Sequence, residues 1–320
     1  MINYLPTYLD TTLDRAVVLG YSRIGFRLRS RAWSPFPPQA LKGRTALVTG
    51  ANSGIGKAIA AGLAGLGASV TLAVRNTSRG DAAASEITAA VPDAAVRVER
   101  CDVADLADVR EFAAGFLGKT DRLDVLVHNA GVMPAGRAES KQGHELCLAT
   151  HVLGPLLLTE LLSPAMAGAA AAQVILMSSG GMYTQALHPD DLEYRTGDYH
   201  GATAYARSKR MQVALTPTLA DRYAGEGISV HCMHPGWVDT PGVATSLPKF
   251  RALTRPLLRS PAEGADTAIW LAATDGLPSG RFWHDRRIRR EHYLRRTRER
   301  SADRNRLWQF CAAATGVAIG

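Results

Sequence analysis

The sequence predicts an α/β fold, a doubly wound parallel sheet, and three observations carry the prediction. Short apolar runs alternate with helical patterns from Leu41 onward, the first run ends in a glycine cluster, and the runs read as strands covered on both faces. Right-handed crossovers between such strands give a Rossmann-type sheet with its ligand at the carboxyl edge.

The elements follow in order. "RTALVTG" is a buried strand running into a turn, and "GIGKAIAAGLAGLG" has helical spacing and stops at glycine. "ASVTLAVRN" is the second strand, Arg79 to Ala90 the second helix, and "AAVRVERCDV" the third strand. "LDVLVHNAG", "AQVILMSSG" and "GISVHCMHPG" supply the fourth, fifth and sixth strands, with helical patterns between them. This places one α/β domain at residues 41–285, flanked by helical extensions at 1–40 and 286–320. The N-terminal one, "LDRAVVLGYSRIGFRLRSRAW", mixes apolar residues with arginines at helical spacing, and Pro35, Pro37 and Pro38 end it. Such a helix either packs on its own domain or anchors the chain peripherally at a membrane or partner.

Composition narrows the function classes. The chain has 320 residues, is 46% hydrophobic and carries a net charge of +8. From Arg281 to Arg306 eleven arginines face four carboxylates, so a surplus of seven sits in one C-terminal segment and the rest of the chain is close to neutral. That distribution argues against nucleic acid as the partner, and suits a solvated face or a peripheral membrane contact through the termini. Cys101, Cys147, Cys232 and Cys311 are scattered, with neither zinc-ligand spacing nor a disulfide framework. No metal is expected, a reducing cytoplasmic setting fits, and no secretory signal or membrane-spanning run is read.

The first strand ends in "TGANSGIGK", with Gly50, Gly54 and Gly56 at the turn. Glycine there permits the tight turn, lets backbone approach a pyrophosphate and aims a helix N-terminus at its charge. The second strand ends at Arg75 with no acid in "TLAVRN". An acid at that point binds ribose hydroxyls, whereas arginine accommodates a 2′-phosphate, so NADP(H) is favoured over NAD(H), with Lys57 as a further nearby cation. In "GATAYARSKR" Tyr205 and Lys209 are four apart and share a helix face.

"TGANSGIG", "NAG" at Asn129, "SS" at Ser178 and Ser179, "YARSK" and "HPG" at His234 occur in the order that resembles short-chain dehydrogenases/reductases. The resemblance implies an oxidoreductase interconverting a carbonyl and an alcohol. By it Tyr205 is the acid/base, Lys209 lowers its pKa and holds ribose hydroxyls, and Ser179 hydrogen-bonds the substrate oxygen. It also implies cofactor contacts from Asn52, Ser53 and Ile55 in the glycine turn, from Asp102 to adenine, from Asn129, and from Pro235, Gly236 and Thr240 in the loop closing over nicotinamide. A free phenol has a pKa of about 10, so phenolate at pH 7 costs about 4 kcal/mol. A neighbouring ammonium and the oxidised nicotinamide reduce that cost.

The chain departs from the family pattern at His151, where an asparagine is expected to hold a water of the proton relay, and at His128 before "NAG". Histidine can hydrogen-bond and titrates near neutrality, so a modified relay through His151 is the expectation. Substrate choice is assigned to the segment after Thr240, with Val243, Leu247, Phe250, Leu253, Leu257 and Leu258. Its apolar content suggests a lipophilic carbonyl or alcohol, and the resemblance implies a mobile lid there and a possible homo-oligomer. The alternative reading is an NADP(H)-binding sensor or scaffold with little catalysis.

Overall fold

The computed structural model describes residues 6–318. Three short helices, α1 (Thr7–Arg15), α2 (Val17–Tyr21) and α3 (Arg23–Ser30), precede the sheet. The alternating part runs β1 (Thr45–Thr49), α4 (Gly54–Gly65), β2 (Ser69–Val74), α5 (Thr77–Ala90), β3 (Val96–Arg100), α6 (Leu106–Leu117) and β4 (Val125–His128). It continues through α7 (Leu146–Leu148), α8 (Gly154–Ala167), β5 (Ala172–Met177), α9 (Gly201–Tyr223) and β6 (Ile228–Met233). The chain then forms α10 (Pro241–Ser246), α11 (Pro248–Thr254), α12 (Pro261–Ala273), the hairpin β7 (Arg281–His284) and β8 (Arg287–Ile288), and α13 (Ser301–Thr315).

The eight strands lie in the order β3-β2-β1-β4-β5-β6-β7-β8. All neighbours are parallel except β7 and β8. The order reverses between β1 and β4, which leaves a crevice at their carboxyl ends. The sheet is therefore the expected doubly wound one. The six strands read from the sequence all form, and β7 and β8 extend the sheet beyond them.

Alternating side chains divide the core. Leu47, Leu126, Val174 and Cys232 face one side, under α6, α8 and α9. Val48, Val127, Ile175 and Met233 face the other, under α4 and α12. Helix α13 inserts Leu307, Trp308, Cys311 and Ala312 into the first core, and Tyr21 of α2 reaches the same core from the N-terminal side. The stretch Leu146–Ala167 is apolar enough to cross a membrane by composition, but it is mostly buried inside this core.

The two ends of the chain are joined by buried charge. Arg29 Nε donates to Asp10 at 2.6 Å and its Nη1 to Asp285 at 2.7 Å. Arg259 Nη1 donates to the other Asp285 oxygen at 2.6 Å, and Arg289 Nη1 to Asp10 at 2.6 Å. Asp285 and Arg286, the β7–β8 turn, both have left-handed φ, at 51° and 56°. Aspartate tolerates this conformation better than most residues, but arginine does not. Their ion pairs hold them there: Asp285 to two arginines, Arg286 to Asp266 at 2.8 Å.

Candidate active site

The glycine turn sits in the crevice between β1 and β4. Gly50 has φ +65, and a Cβ on it would lie 2.7 Å from Ala130 Cα. A Cβ on Gly56 would lie 2.3 Å from Asn129 Nδ2. Asn129 Nδ2 in turn donates to the carbonyls of Thr49 and Gly50, at 3.0 and 3.3 Å. Asn129 thus fastens the turn to β4, which explains why two glycines must be there. Helix α4 opens at Ser53 with no side-chain cap and no acid in its first turn. Its first N–H groups are left for an anion.

A cavity of about 340 Å³ lies over this turn. Gly50, Asn52, Ser53, Gly54, Ile55 and Gly56 form one wall. Arg75, Asp102 and Asn129 form a second, Tyr205 and Thr240 a third. The dinucleotide residues expected from the sequence therefore converge, apart from Lys209, Pro235 and Gly236, which are not among the lining residues. Arg75 is exposed at the mouth and forms no ion pair among the described residues. Lys57 instead pairs with Glu86, so its charge is offset. Asp102 Oδ1 accepts from the Ala104 amide at 3.1 Å. Thr240 caps α10, its hydroxyl accepting from the Val243 amide at 3.2 Å. These groups fit a nicotinamide dinucleotide: uncapped helix donors, close-approach glycines and an unpaired cation at the mouth.

Tyr205 and Lys209 sit on α9 one turn apart. The Lys209 ammonium is 5.5 Å from the centre of the Tyr205 ring and donates to the Met177 carbonyl at 2.7 Å. Burial pushes the Tyr205 phenol up to about 12, and its hydrogen bond with Ser179 pulls in the other direction. Burial also depresses Lys209, to about 8. Ser178 donates to the Lys209 carbonyl at 2.9 Å, which ties the end of β5 to α9 and leaves Ser179 facing the phenol. Among the described residues no carboxylate is paired with Lys209, so its charge is available to a developing phenolate.

His151 lies in a widened π-helical turn, Ala149–Leu153, with its ring 5.3 Å from that of Tyr205. Both ring nitrogens are engaged. Nε2 accepts from the Val132 amide at 3.0 Å, so Nδ1 carries the proton and donates to Ser208 Oγ at 2.7 Å. Ser208 passes its own hydrogen to the Tyr205 carbonyl at 2.8 Å. The His151 carbonyl accepts from Gln212 Nε2 at 2.8 Å. Burial and the Lys209 charge hold the imidazole far below its usual range, so it is neutral. Here histidine clamps the β4 loop to α9 and offers no vacant nitrogen to a relay. His128 is likewise neutral, lowered by burial to about 3, and donates to Thr159 at 2.8 Å.

Pro235 and Gly236 belong to a loop braced from behind. Gly236 has φ +81, and a Cβ there would meet Arg259 Cζ and the Tyr21 carbonyl, each at 2.6 Å. Trp237 N–H donates to the Tyr21 carbonyl at 2.8 Å, and Arg259 Nη1 to the Pro235 carbonyl at 3.2 Å. The Tyr21 ring packs edge-on against His234, 4.6 Å between centres. Sequence reasoning missed Tyr21 and Arg259, because nothing in local spacing links residue 21 to residue 237. After the loop, Asp239 pairs with Arg251 of α11 at 2.6 Å and Phe250 packs on Trp237 at 5.2 Å.

Comparison with known proteins agrees with this architecture. The short chain dehydrogenase family matches residues 44–249. Dehydrogenase/reductase SDR family member 12 of Bos taurus is 38% identical over 90% of this chain and 91% of its own length. Retinol dehydrogenase 12 of Bos taurus is 38% identical over 77% of this chain and 78% of its own. A metagenomic short-chain oxidoreductase solved in complex with NADP superposes with a TM-score of 0.55 at 26% identity, covering 78% of this chain and 95% of that one. With the doubly wound sheet, the glycine turn and the Ser-Tyr-Lys cluster in place, the chain belongs to the short-chain dehydrogenase/reductase family of oxidoreductases.

Proposed function

We propose that the protein is an NADP(H)-dependent oxidoreductase interconverting a lipophilic carbonyl and its alcohol, with Tyr205 as acid/base. One observation carries the reading: the Lys209 ammonium lies 5.5 Å from the ring of Tyr205, and Tyr205 lines the cavity over the glycine turn. The cofactor, when bound, supplies or accepts the hydride at the substrate carbon. Ser179 Oγ donates to the substrate oxygen and Tyr205 gives it a proton. Lys209 opposes the negative charge left on the phenol, which regains a proton from water in the cavity it lines. His151 is a positioning residue, fixing α9 against the β4 loop through Val132 and Ser208.

The preference for NADP(H) rests on Arg75, unpaired at the mouth with no acid at the end of β2. The lipophilic substrate is supported by the relatives named retinol dehydrogenase and by Val132, Met133, Leu146 and Val243 in the lining of the cavity. The test is a panel of lipophilic aldehydes, ketones and alcohols with NADPH or NADP, on the wild type and Tyr205→Phe. Turnover should be lost in Tyr205→Phe while the cofactor still binds. A second reading, a cofactor-binding sensor with little catalysis, draws on the closed His151 network and the His151 carbonyl already taken by Gln212. Absence of any Tyr205-dependent NADPH oxidation across the panel would favour it.

We place the protein on the cytoplasmic side, in peripheral contact with a membrane. Its four cysteines are free and buried, as in a reducing compartment. The N-terminal helices are turned inside out: Asp10, Asp14 and Arg29 are buried, whereas Leu9, Val17, Val18, Leu19, Ile24 and Leu28 are exposed and Tyr8 is 71% exposed. Exposed Arg15, Arg27 and Arg31 share this face's elements, so anionic lipid suits it. Sedimentation with phosphatidylglycerol vesicles, salt-sensitive in the wild type and weakened in Val18→Glu, is the expected result. Helix α13 packs against α8 and α9. A homo-oligomer through those two helices would have to displace it, and light scattering on the purified chain decides the assembly.

A further inference from the structure

Tyr21, the last residue of α2, lies outside the α/β domain in sequence but between the two loops that carry the candidate chemistry. It is 2% exposed. One edge of its ring meets the turn after β5: a Cβ on Gly180, the residue next to Ser179, would lie 3.0 Å from Tyr21 Cε2 and 3.2 Å from Cδ2. That turn is a single 3-10 segment, Gly180–Thr184, and the Ser179 hydroxyl accepts from its Gly181 amide at 3.2 Å. Glycine at 180 is what lets the ring come so close to the serine. The same ring packs edge-on against His234, the first residue after β6, and His234 Nδ1 accepts from the Gly236 amide at 3.2 Å.

The backbone that carries this ring is fixed independently of either loop. The Gly20 carbonyl accepts from Arg29 Nη1 and Arg259 Nη2, at 2.8 and 3.1 Å, and the Ser22 carbonyl accepts from Arg259 Nε at 3.2 Å. A residue pinned on both sides does not follow a loop that moves, so its ring acts as a stop for both loops. The C-terminal extension adds a second tie to the same turn. Tyr183 donates to the Arg290 carbonyl at 2.7 Å, and its ring lies 4.5 Å from that of Tyr293. The turn that presents Ser179 is therefore seated on residues from both ends of the chain.

We propose that Tyr21 is a positioning residue for the reaction, its ring setting the gap between the Ser179 turn, which meets the substrate oxygen, and the loop from His234 to Trp237, which closes over the nicotinamide. The inference rests on the reading of the cavity as the cofactor and substrate site. Displacement of either loop by about 1 Å is enough to cost about 100-fold in rate, because reacting atoms must be held near contact distance. The Tyr21 hydroxyl lies near Tyr183 and Tyr293 and takes no part in the contacts to Gly180 and His234. The ring, and not the hydroxyl, is the working part.

Tyr21→Leu and Tyr21→Phe in the full chain test it. Calorimetry compares NADPH with adenosine 2′,5′-bisphosphate, which lacks the nicotinamide, and so reads the loop without turnover; NADH against ADP serves where NADH binds the wild type more tightly. Tyr21→Leu should weaken NADPH about fivefold or more and leave the bisphosphate within about twofold. On any substrate the wild type turns over, its kcat at saturating cofactor should fall about tenfold or more. Tyr21→Phe keeps the ring and should stay within about twofold of the wild type throughout. Gly180→Ala crowds the ring from the other side without hollowing the core, and should show the same split at a smaller size if Tyr21→Leu does not fold. Equal weakening of both ligands with a lowered Tm would make Tyr21 a core residue only and overturn the proposal. Unchanged NADPH affinity and kcat in Tyr21→Leu, or a loss in Tyr21→Phe that assigns the role to the hydroxyl, would overturn it too. A wild type that binds NADPH but reduces nothing would remove the oxidoreductase reading alone, and the binding comparison would still decide on Tyr21.

Discussion

Replacing Lys209 by methionine separates the electrostatic role of this residue from a structural one, because the two predict changes of opposite sign. A unit charge 5.5 Å from the phenol ring is worth about 3 kcal/mol at an effective dielectric constant of about 20. Its loss should lower kcat at saturating NADPH about 100-fold. The same ammonium is buried with one hydrogen bond, to Met177, and its pKa falls from the ordinary 10.5 to about 8. A depressed lysine disfavours the folded state wherever the group is charged. The penalty, about 3 kcal/mol, is complete below pH 8 and disappears as pH rises toward 10.5. Lys209→Met should therefore be stabilised at pH 7, by about 2 kcal/mol after loss of the Met177 bond, and the gain should shrink above pH 9. Thermal and urea unfolding at pH 7 and pH 10, with stopped-flow NADPH oxidation at saturating cofactor, measure both. A variant that keeps kcat within fivefold of the wild type, while still binding NADPH, would refute the electrostatic role. A kcat loss accompanied by a lowered Tm would reduce it to general damage.

Three further outcomes are expected. Arg75→Ser should raise KM for NADPH at least tenfold with little change for NADH, since a charge-assisted contact to a 2′-phosphate is lost; equal effects on both cofactors would remove Arg75 from that role. Gly236→Ala should cost about 2–3 kcal/mol, because φ is +81 and the added Cβ would meet two groups at 2.6 Å, and urea unfolding reads it directly. Asp285→Asn should cost about 3–5 kcal/mol by leaving Arg259 without its carboxylate and taking one of the carboxylates from Arg29, which keeps Asp10. Its carboxyl is held far below the usual range by Arg259, so the wild-type contribution is present above about pH 4 and fades only in strong acid, which a pH series of unfolding curves checks.

What could be read from the sequence is what depends on local pattern. Strand runs such as "TALVT" and "VILM" bury both faces, so their composition alone marks them. The glycine turn was legible because a Cβ at Gly50 or Gly56 has nowhere to go. The spacing of Tyr205 and Lys209 was legible because a helix sets it. Contacts between distant segments left no such trace. Strand β8 has two residues, too few to show alternation, and β7 reads as "RFWH" beside an arginine run. The family pattern put His151 at the position of the relay asparagine, and its ring lies 5.3 Å from that of Tyr205, but the engagement of both its nitrogens depends on Val132 and Ser208, which only the folded chain brings together.

The arginine surplus near the C-terminus is the clearest case of composition lacking a direction. Eleven arginines against four acids look like a solvated basic tail. Several of them point inward: Arg286 lies over the rings of Trp33 and Phe36, each at 4.5 Å, and Arg287 and Arg289 meet Asp10 of α1. Burying a guanidinium is tolerable only where carboxylates and carbonyls replace water. Arg286 takes Asp266 of α12, and for Arg287 and Arg289 the partner comes from α1, more than 250 residues away in sequence. With Asp10 and Asp14 of α1 turned inward, α1 and the α2 that follows it are left with apolar side chains outside, so one exchange accounts for both the buried arginines and the exposed leucines and valines. The same exchange seats Tyr21 and Arg259 behind Gly236. The charges that join the two ends of the chain therefore also hold the loop assigned to the nicotinamide, linking the surface the protein presents outward to the geometry of its candidate active site.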